Sequence, residues 1–415
     1  MSVNAQTLKG FRDFLPAEAR KRSYVIQKIK AVFEQFGFEP LETPALEYEE
    51  ILLGKYGAEG DKLMYKFVDN GERRVAMRYD QTVPLARVIA QYQGQIPMPF
   101  KRYQIQNVWR AENTQKGRYR EFLQCDADIV GSNSPLADAE VIAVAARVME
   151  NLGFKNFKIL VNDRAVFNDL LQKPGAQESD LPKIIRAIDK LKKIGREGVL
   201  NELGNDGFTT EQATYFLQTI ENAQPTQKLE EIFSSLEKMG IDKNNYQFSP
   251  SLARGLDYYT GLIFEIEIPE YPTGSTAGGG RYDNLIGMFG GEKVPAVGFA
   301  VGFDRTIEAM EALNLFPEDL QTSKILVTIF SSELADKSLE ISSQLRANNI
   351  NTEVWLDPEN KLEKQLKYAD QRGIPFVAII GPDEANNGTV TLKNLKEKTQ
   401  ETMSTNQLVE RLNNS

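Results

Sequence analysis

The sequence predicts an α+β protein: an antiparallel sheet flanked by helices, a helical insertion within it, and a small α/β domain after it. Three observations carry this. Strand-like runs cluster between about residues 64 and 130 with amphipathic helices on either side, and strand signals return at Gly261 to Ile268. From about Asp169 to Tyr246 the pattern is helical and polar with no strand. From about Thr322 onward, short apolar runs alternate with helical stretches, the pattern of a small α/β unit. The expected domains are 1–320, interrupted by an insertion at 169–246, and 322–415, which suits a chain of 415 residues.

The elements follow in order. After Pro16, the segment to Phe36 places Val25, Ile29, Val32, Phe33 and Phe36 on one helical face, and Gly37 stops it. Phe38 to Pro44 is extended because each proline biases its predecessor away from helix, and its prolines confine it to a sheet edge or an interface. Strands are expected at Met64 to Val68, Arg74 to Arg78, Phe100 to Arg110 and Arg120 to Val130, the last two joined by a polar loop as a long hairpin. Ser134-Pro135 caps a helix whose apolar stripe, Val141, Val144, Ala145, Val148 and Leu152, runs to Gly153. In the helical segment, Lys183, Arg186, Lys190, Lys192, Lys193 and Arg196 oppose only Asp189, which reads as a solvated helix face or an RNA contact. Beyond Pro317 to Ser323 come strands at Ile325 to Phe330, Thr352 to Trp355 and Phe376 to Ile380, with Trp355 expected in the core.

Composition narrows the chemistry. The chain has no histidine, which removes Ser-His and Cys-His pairs, imidazole bases and His metal ligands. Catalysis must then run on Arg, Asp, Glu, Tyr, Gln or a metal ion, an inventory suited to phosphoryl or nucleotidyl transfer. The single Cys125 excludes an internal disulfide and a cysteine zinc cage, and reads as a small buried hydrophobe. A net charge of −9 means that polyanion binding needs local patches. The N-terminus has no apolar signal core and no run approaches the ~20 apolar residues of a membrane span, so a cytoplasmic protein is expected.

Local excess of positive charge occurs on the hairpin. Between Lys101 and Arg120 there are six basic residues and one acid, Glu112, so an anion is expected against it. Gln124, Asp126 and Asp128 recur at period two and share one strand face, where an arginine at the end of the opposing strand meets them. A salt-bridged surface hairpin accounts for the same composition. Met77 to Thr82 reads as a strand end followed by a helix cap, Thr being a good cap. Gly278-Gly279-Gly280 lets backbone approach a ligand closely, and Gly298 to Arg305 is a strand leading into a helix.

Taken in order, these blocks resemble class II aminoacyl-tRNA synthetases, and Trp109 to Phe122 with Arg254-Gly255-Leu256-Asp257-Tyr258-Tyr259-Thr260-Gly261 resemble the histidyl branch in particular. The resemblance spans nearly the whole chain. It implies a class II catalytic domain that activates L-histidine with ATP to the adenylate and pyrophosphate, and then loads the 3′ end of tRNA(His). By that likeness Arg110 and Arg254 are catalytic and hold the α-phosphate. ATP is further held by Glu112 at the adenine, Arg118 at the γ-phosphate and Arg305 stacked on the base. Histidine is held by Asp80, Thr82 and Gln124 at its ammonium, by Arg254 at its carboxylate, and by Asp128, Tyr258, Tyr259 and Tyr282 around the ring. Mg²⁺ travels with ATP and no protein metal site is assigned. The segment Phe38 to Pro44 resembles the motif that builds a homodimer, and 322–415 resembles an anticodon-binding domain. Tyr79-Asp80 and Asp128 depart from the commonest bacterial pattern and are similar to the eukaryotic type. The alternative is a non-catalytic regulatory subunit of ATP phosphoribosyltransferase, which keeps the fold to sense histidine. A pure RNA-binding adaptor is a third reading. With no imidazole in the chain, a rate change centred near pH ~6.5 is expected to belong to the substrate ring.

Overall fold

The computed structural model describes residues 4–55, 57–114, 117–172, 177–253, 258–290, 292–318 and 320–415. It comprises two compact units, Met1–Phe316 and Pro317–Ser415.

The first unit is organised by an eight-stranded sheet. Its order is Glu39–Pro40, Phe100–Trp109, Glu121–Val130, Ala296–Gly302, Ala277–Arg281, Leu262–Glu267, Lys158–Asp163 and Tyr246–Phe248. All interior pairings are antiparallel, whereas the two outermost strands run parallel to their neighbours. The expected hairpin is its longest ladder, ten residue pairs from Phe100↔Val130 to Trp109↔Glu121. Strand alternation gives this sheet two different faces. Leu123, Cys125, Ala127 and Ile129 join Val297, Phe299 and Val301 in a core covered by the helices Pro16–Gln35 and Pro135–Asn151. Gln124, Asp126 and Asp128 project to the other face.

The first helix buries Val25, Ile29, Val32 and Phe33, the stripe read from the sequence. Phe33 meets Tyr103, Phe299 and Phe38 at ring-centroid separations of 5.6, 6.0 and 6.4 Å. Ser134 caps the second helix, its side chain accepting from the Leu136 N–H at 3.2 Å. The expected strand Phe38 to Pro44 contracts to Glu39–Pro40 at the sheet edge, since its prolines lack the N–H groups a longer ladder needs. Leu46–Tyr48, Arg74–Met77 and Lys66–Val68 form a separate three-stranded sheet.

Among the described residues between Asp169 and Asn245 there is no strand, but this helical segment is not a separate body. The helix Gln227–Lys238 lays Leu229, Ile232 and Leu236 into the main core. Helices Leu181–Asp189, Leu191–Asn205 and Thr210–Glu221 share a second core with Leu160, Ile263 and Leu285. Half of the basic run is neutralised by distant acids: Lys190 by Glu202, Lys192 by Glu267 and Arg196 by Glu221. This matches the solvated-face reading for those three residues. Lys158–Asp163 and Tyr246–Phe248 were not expected as strands; the first shows no alternation because it is buried on both sides, and the second has only three residues.

In the second unit, Thr352–Val354, Ile325–Val327 and Phe376–Ile379 pair in parallel, and an unexpected hairpin, Thr389–Asn394 with Thr399–Ser404, extends the sheet antiparallel. Its outer strand is exposed and polar, which hides it from a hydrophobicity reading. Trp355 is not in the core: it is half-buried, edge-on to Tyr368 at 5.2 Å, with Nε1 donating to the Asp357 carbonyl at 2.8 Å. Its indole N–H takes a surface carbonyl, which core burial would not supply.

Phe33→Ala is expected to lower the stability of the first unit by about 3 to 5 kcal/mol, read as a shifted unfolding midpoint in urea.

Candidate functional site

The open face of the large sheet forms the floor of a cavity of about 510 Å³, within the range of small-molecule sites. Small residues make the room. Gly298 lies between Asp128 and Gly280, and Ala300 between Asp126 and Gly278, so the central strands carry almost no side chain there. A Cβ on Gly298 would sit 1.9 Å from Asp128 Oδ1, and one on Gly280 would sit 2.8 Å from the Tyr259 ring. The glycines therefore let Asp128 and Tyr259 lie flat against the floor.

Eleven of the twelve residues singled out from the sequence line this one cavity: Asp80, Thr82, Arg110, Glu112, Arg118, Gln124, Asp128, Tyr258, Tyr259, Tyr282 and Arg305. Arg254, with Gly255, Leu256 and Asp257, lies outside the described residues, as do Gln115 and Lys116 of the hairpin loop; Ala253 and Tyr258 on either side of Arg254 do line the cavity. At one end, Asp80 Oδ1 accepts from the N–H groups of Thr82 and Val83, both at 3.1 Å. Asp80, one residue before the N-cap Gln81, so satisfies the first N–H groups of the helix Thr82–Gln91, and Thr82 is its first residue and not its cap. At the hairpin end, Arg110 Nε donates to the Tyr79 carbonyl at 3.1 Å. Its guanidinium lies 4.4 and 5.1 Å from the Tyr79 and Phe122 ring centroids. These contacts fix the plane of a guanidinium that keeps donors free to face the cavity. Arg118 stands 3.6 Å from Glu112 and is half-exposed at the rim. Arg305 Nη1 donates to the Ser275 carbonyl at 3.0 Å.

The deep end is acidic and aromatic. Tyr258 lies edge-on to Tyr282 at 6.0 Å and tilted against Tyr259 at 5.0 Å. The Tyr282 hydroxyl donates to Asp128 Oδ1 in a very short hydrogen bond. Burial pushes the Asp126 carboxyl well above the usual range and raises that of Asp128, where Arg102 and the Tyr282 bond pull the other way. Burial, then the neighbouring Asp128 charge, drives Tyr282 upward and keeps it a neutral donor. Both carboxyls thus lie above their ordinary values, a perturbation that a count of histidines does not disclose.

Several contributors were not singled out. Arg102, wholly buried, sits directly across the ladder from Asp128, with Nη2 2.8 Å from Oδ2. An arginine facing the acidic strand thus stands within the ladder near the start of its strand, and not only at the strand end where Arg110 stands. Its signal was the alternation Arg102, Gln104, Gln106 opposite Asp128, Asp126, Gln124. Glu265 and Asp189 also line the cavity. Outside it, Arg12 stacks 3.2 Å from the Tyr119 ring centroid and pairs with Asp304 at 3.0 Å, as does Arg22 at 2.8 Å. The N-terminal segment so ties the hairpin loop to the start of the helix Phe303–Ala312, which carries Arg305.

A positive end, an acidic and phenolic end and a glycine floor on one antiparallel sheet are the features of a class II aminoacyl-tRNA synthetase. The family model described as histidyl-tRNA synthetase matches residues 10–306, and the one described as anticodon binding domain matches 324–415. The chain is 41% identical to the histidine–tRNA ligase of Cytophaga hutchinsonii over 93% of this chain and 94% of that one. It is also 41% identical to the histidine–tRNA ligase of Rhodopirellula baltica, over 95% and 94%. The crystal structure of histidyl-tRNA synthetase from Nostoc sp. PCC 7120 superposes with a TM-score of 0.88 at 31% identity, covering 100% of both chains. A Bacillus halodurans structure titled as an ATP phosphoribosyltransferase regulatory subunit/histidyl-tRNA synthetase shares the fold, with a TM-score of 0.74 at 22% identity over 89% and 97%. The chain belongs to the histidyl-tRNA synthetase family.

Asp126→Asn removes a carboxyl whose pKa is raised on folding, hence one whose ionisation opposes the folded state. It is expected to raise the melting temperature at pH ~8. The gain should shrink as pH falls through the raised folded value and vanish below the unfolded value of about 3.9. Calorimetry across that range checks it, and a constant difference at all pH values contradicts it.

Proposed function

We propose that the chain is a histidine–tRNA ligase that forms histidyl-adenylate from L-histidine and ATP, releases pyrophosphate, and passes histidine to the 3′ end of tRNA(His). The observation that carries this is the convergence of Arg110, Arg118 and Arg305 with Asp80, Gln124, Asp128, Tyr259 and Tyr282 on one cavity. In this reading the histidine carboxylate attacks the α-phosphorus in line, and the P–O bond to pyrophosphate breaks. Arg110, held in plane by Tyr79 and Phe122, neutralises the developing charge on the α-phosphate oxygens together with Arg254. No protein base is required, because the nucleophile is already ionised. Arg118 and Glu112 at the rim take the γ-phosphate and adenine, and Arg305 stacks on the base. Asp80, Thr82 and Gln124 take the ammonium, with Asp128, Tyr258, Tyr259 and Tyr282 around the ring.

Mg²⁺ is proposed to arrive with ATP, where it shields the pyrophosphate. Glu265, partly exposed in the cavity wall, has the donor chemistry that the ion uses beside phosphate oxygens and water. The C-terminal unit is assigned to the anticodon, supported by the family match over 324–415. A homodimer is proposed through the segment Phe38 to Pro44 with its preceding helix, and the small sheet that follows it adds exposed Leu46, Tyr48, Phe67 and Val68. A cytoplasmic location accords with such a role, and among the described residues no helix is long and apolar enough to cross a membrane. The regulatory-subunit reading is disfavoured by the retained arginines and by the anticodon-type unit.

Histidine-dependent exchange of pyrophosphate into ATP is expected without tRNA, and charging of tRNA(His) when tRNA is added. Exchange that never appears supports a regulatory or adaptor protein instead. Arg110→Ala is expected to lower exchange about 10²- to 10³-fold, the scale of losing one oxyanion donor, with the fold intact by circular dichroism.

A further inference from the structure

Arg102 is among the largest fully buried side chains of the protein, yet it lies behind the cavity lining and touches no part of the space a substrate fills. Its Nη2 is 2.8 Å from Asp128 Oδ2 and donates to the Gln81 carbonyl at 3.4 Å, Nη1 donates to Gln104 Oε1 at 3.3 Å, and Nε is buried with no hydrogen-bond partner among the described residues. A guanidinium is not placed there to gain stability, because desolvating it costs about as much as one carboxylate returns. What it changes is the charge that the cavity presents through Asp128.

A buried carboxylate alone prefers a cationic ring, since an ion pair in a low-dielectric site outweighs a neutral hydrogen bond. Asp128 is not alone: one oxygen faces Arg102 and the other receives the Tyr282 hydroxyl. Among the described residues, the charged and titratable groups nearest the pair are Asp126, Asp80, Arg110, Tyr258 and Tyr259, with Asp189 and Glu265 elsewhere in the cavity wall. Asp126 stands on the same strand with its carboxyl pushed towards the neutral form. Asp80 lies at the start of the helix Thr82–Gln91, where it answers a substrate ammonium. Arg110 stands at the far end of the hairpin strand, and Tyr258 and Tyr259 lie beside Tyr282.

We propose that Arg102 is a specificity-determining residue of the histidine pocket which, acting through Asp128, cancels that carboxylate's charge so that the site accepts neutral imidazole and turns away imidazolium. Asp128 still offers a lone pair to the ring N–H, while a cationic ring, or the side chain of lysine or arginine, meets a neutral pair backed by a fixed positive charge. This rests on the reading that Asp128 meets the ring.

The test is pyrophosphate exchange with the full chain, following the KM for histidine from pH ~7.5 to ~5.5. With a ring pKa of about 6.5, the neutral fraction falls about tenfold over that range, so the KM for wild type is expected to rise about tenfold. Triazolylalanine, whose ring stays neutral, is expected to give a flat profile. A protein carboxyl titrating in the same range would bend both profiles, and that outcome overturns the assignment. Arg102→Lys keeps the charge and the acid rise, whereas Arg102→Gln flattens or inverts the histidine profile and leaves that of triazolylalanine flat. A folded Arg102→Gln variant with the wild-type acid rise sinks the proposal. If that variant does not fold, a flat histidine profile in the wild type sinks it equally. Asp128→Asn separates the two levels of argument: the histidine KM at pH ~7.5 is expected to rise on the order of a hundredfold. No change there removes the ring contact itself, and a rise combined with an unaltered Arg102→Gln profile removes only the role of Arg102.

Discussion

Everything in the first unit depends on the register of one antiparallel ladder. When Phe100 pairs with Val130, every second residue of both hairpin strands turns to the same side, and the next strand, Ala296–Gly302, continues that assignment. One face becomes a continuous apolar surface for two long helices, and the other collects Arg102, Gln104, Gln124, Asp126 and Asp128. A slip of one residue would drive three acids or amides into the helical core and bring Cys125 and Ala127 to the cavity. Core and site are therefore two sides of the same constraint, and the packing of Phe33 against Tyr103 and Phe299 maintains the geometry of carboxylates it never touches.

The site carries an internal cost. Three aspartates lie within one largely dehydrated region, and burial pushes two of them towards protonation. Neutralisation is local: Asp80 is met by backbone N–H groups and Asp128 by Arg102 and Tyr282, whereas Asp126 has, among the described residues, only a 3.4 Å bond from Gln124. An arrangement tuned for stability alone would lack the Asp126 carboxylate in the cavity lining.

The mouth of the cavity is organised from a distance. Arg12 and Arg22 converge on Asp304, next in sequence to Arg305, while Arg12 also stacks on Tyr119 beside Arg118. The Gly10 carbonyl accepts from the Arg120 N–H at 2.9 Å. Two elements that supply the positive end of the site, some 185 residues apart in sequence from Arg120 to Arg305, are so bound to one N-terminal segment as well as to each other. Rigid support of this kind holds a site's groups in place before a ligand arrives.

By itself the sequence determined the elements whose physics is local: the first helix from its stripe, the second from Ser134-Pro135, the hairpin from its alternation, and the site residues that sit in contiguous motifs. Tyr79 to Thr82, Arg110 to Arg118 and Gln124 to Asp128 were legible because each motif carries its chemistry within a few residues. What only the tertiary structure decided was pairing between distant segments. Arg102 gained its meaning from Asp128, Asp304 from Arg12 and Arg22, and the Tyr282 hydroxyl from Asp128, none of them within a helical turn or a tight hairpin of its partner. The strands Lys158–Asp163 and Thr399–Ser404 were missed for the opposite reasons, one buried on both faces and one exposed. Alternation reports only that a strand has two faces. Which face is covered, and which cation stands across from which carboxylate, is set by register and by closure of the sheet, and those are properties of the folded chain.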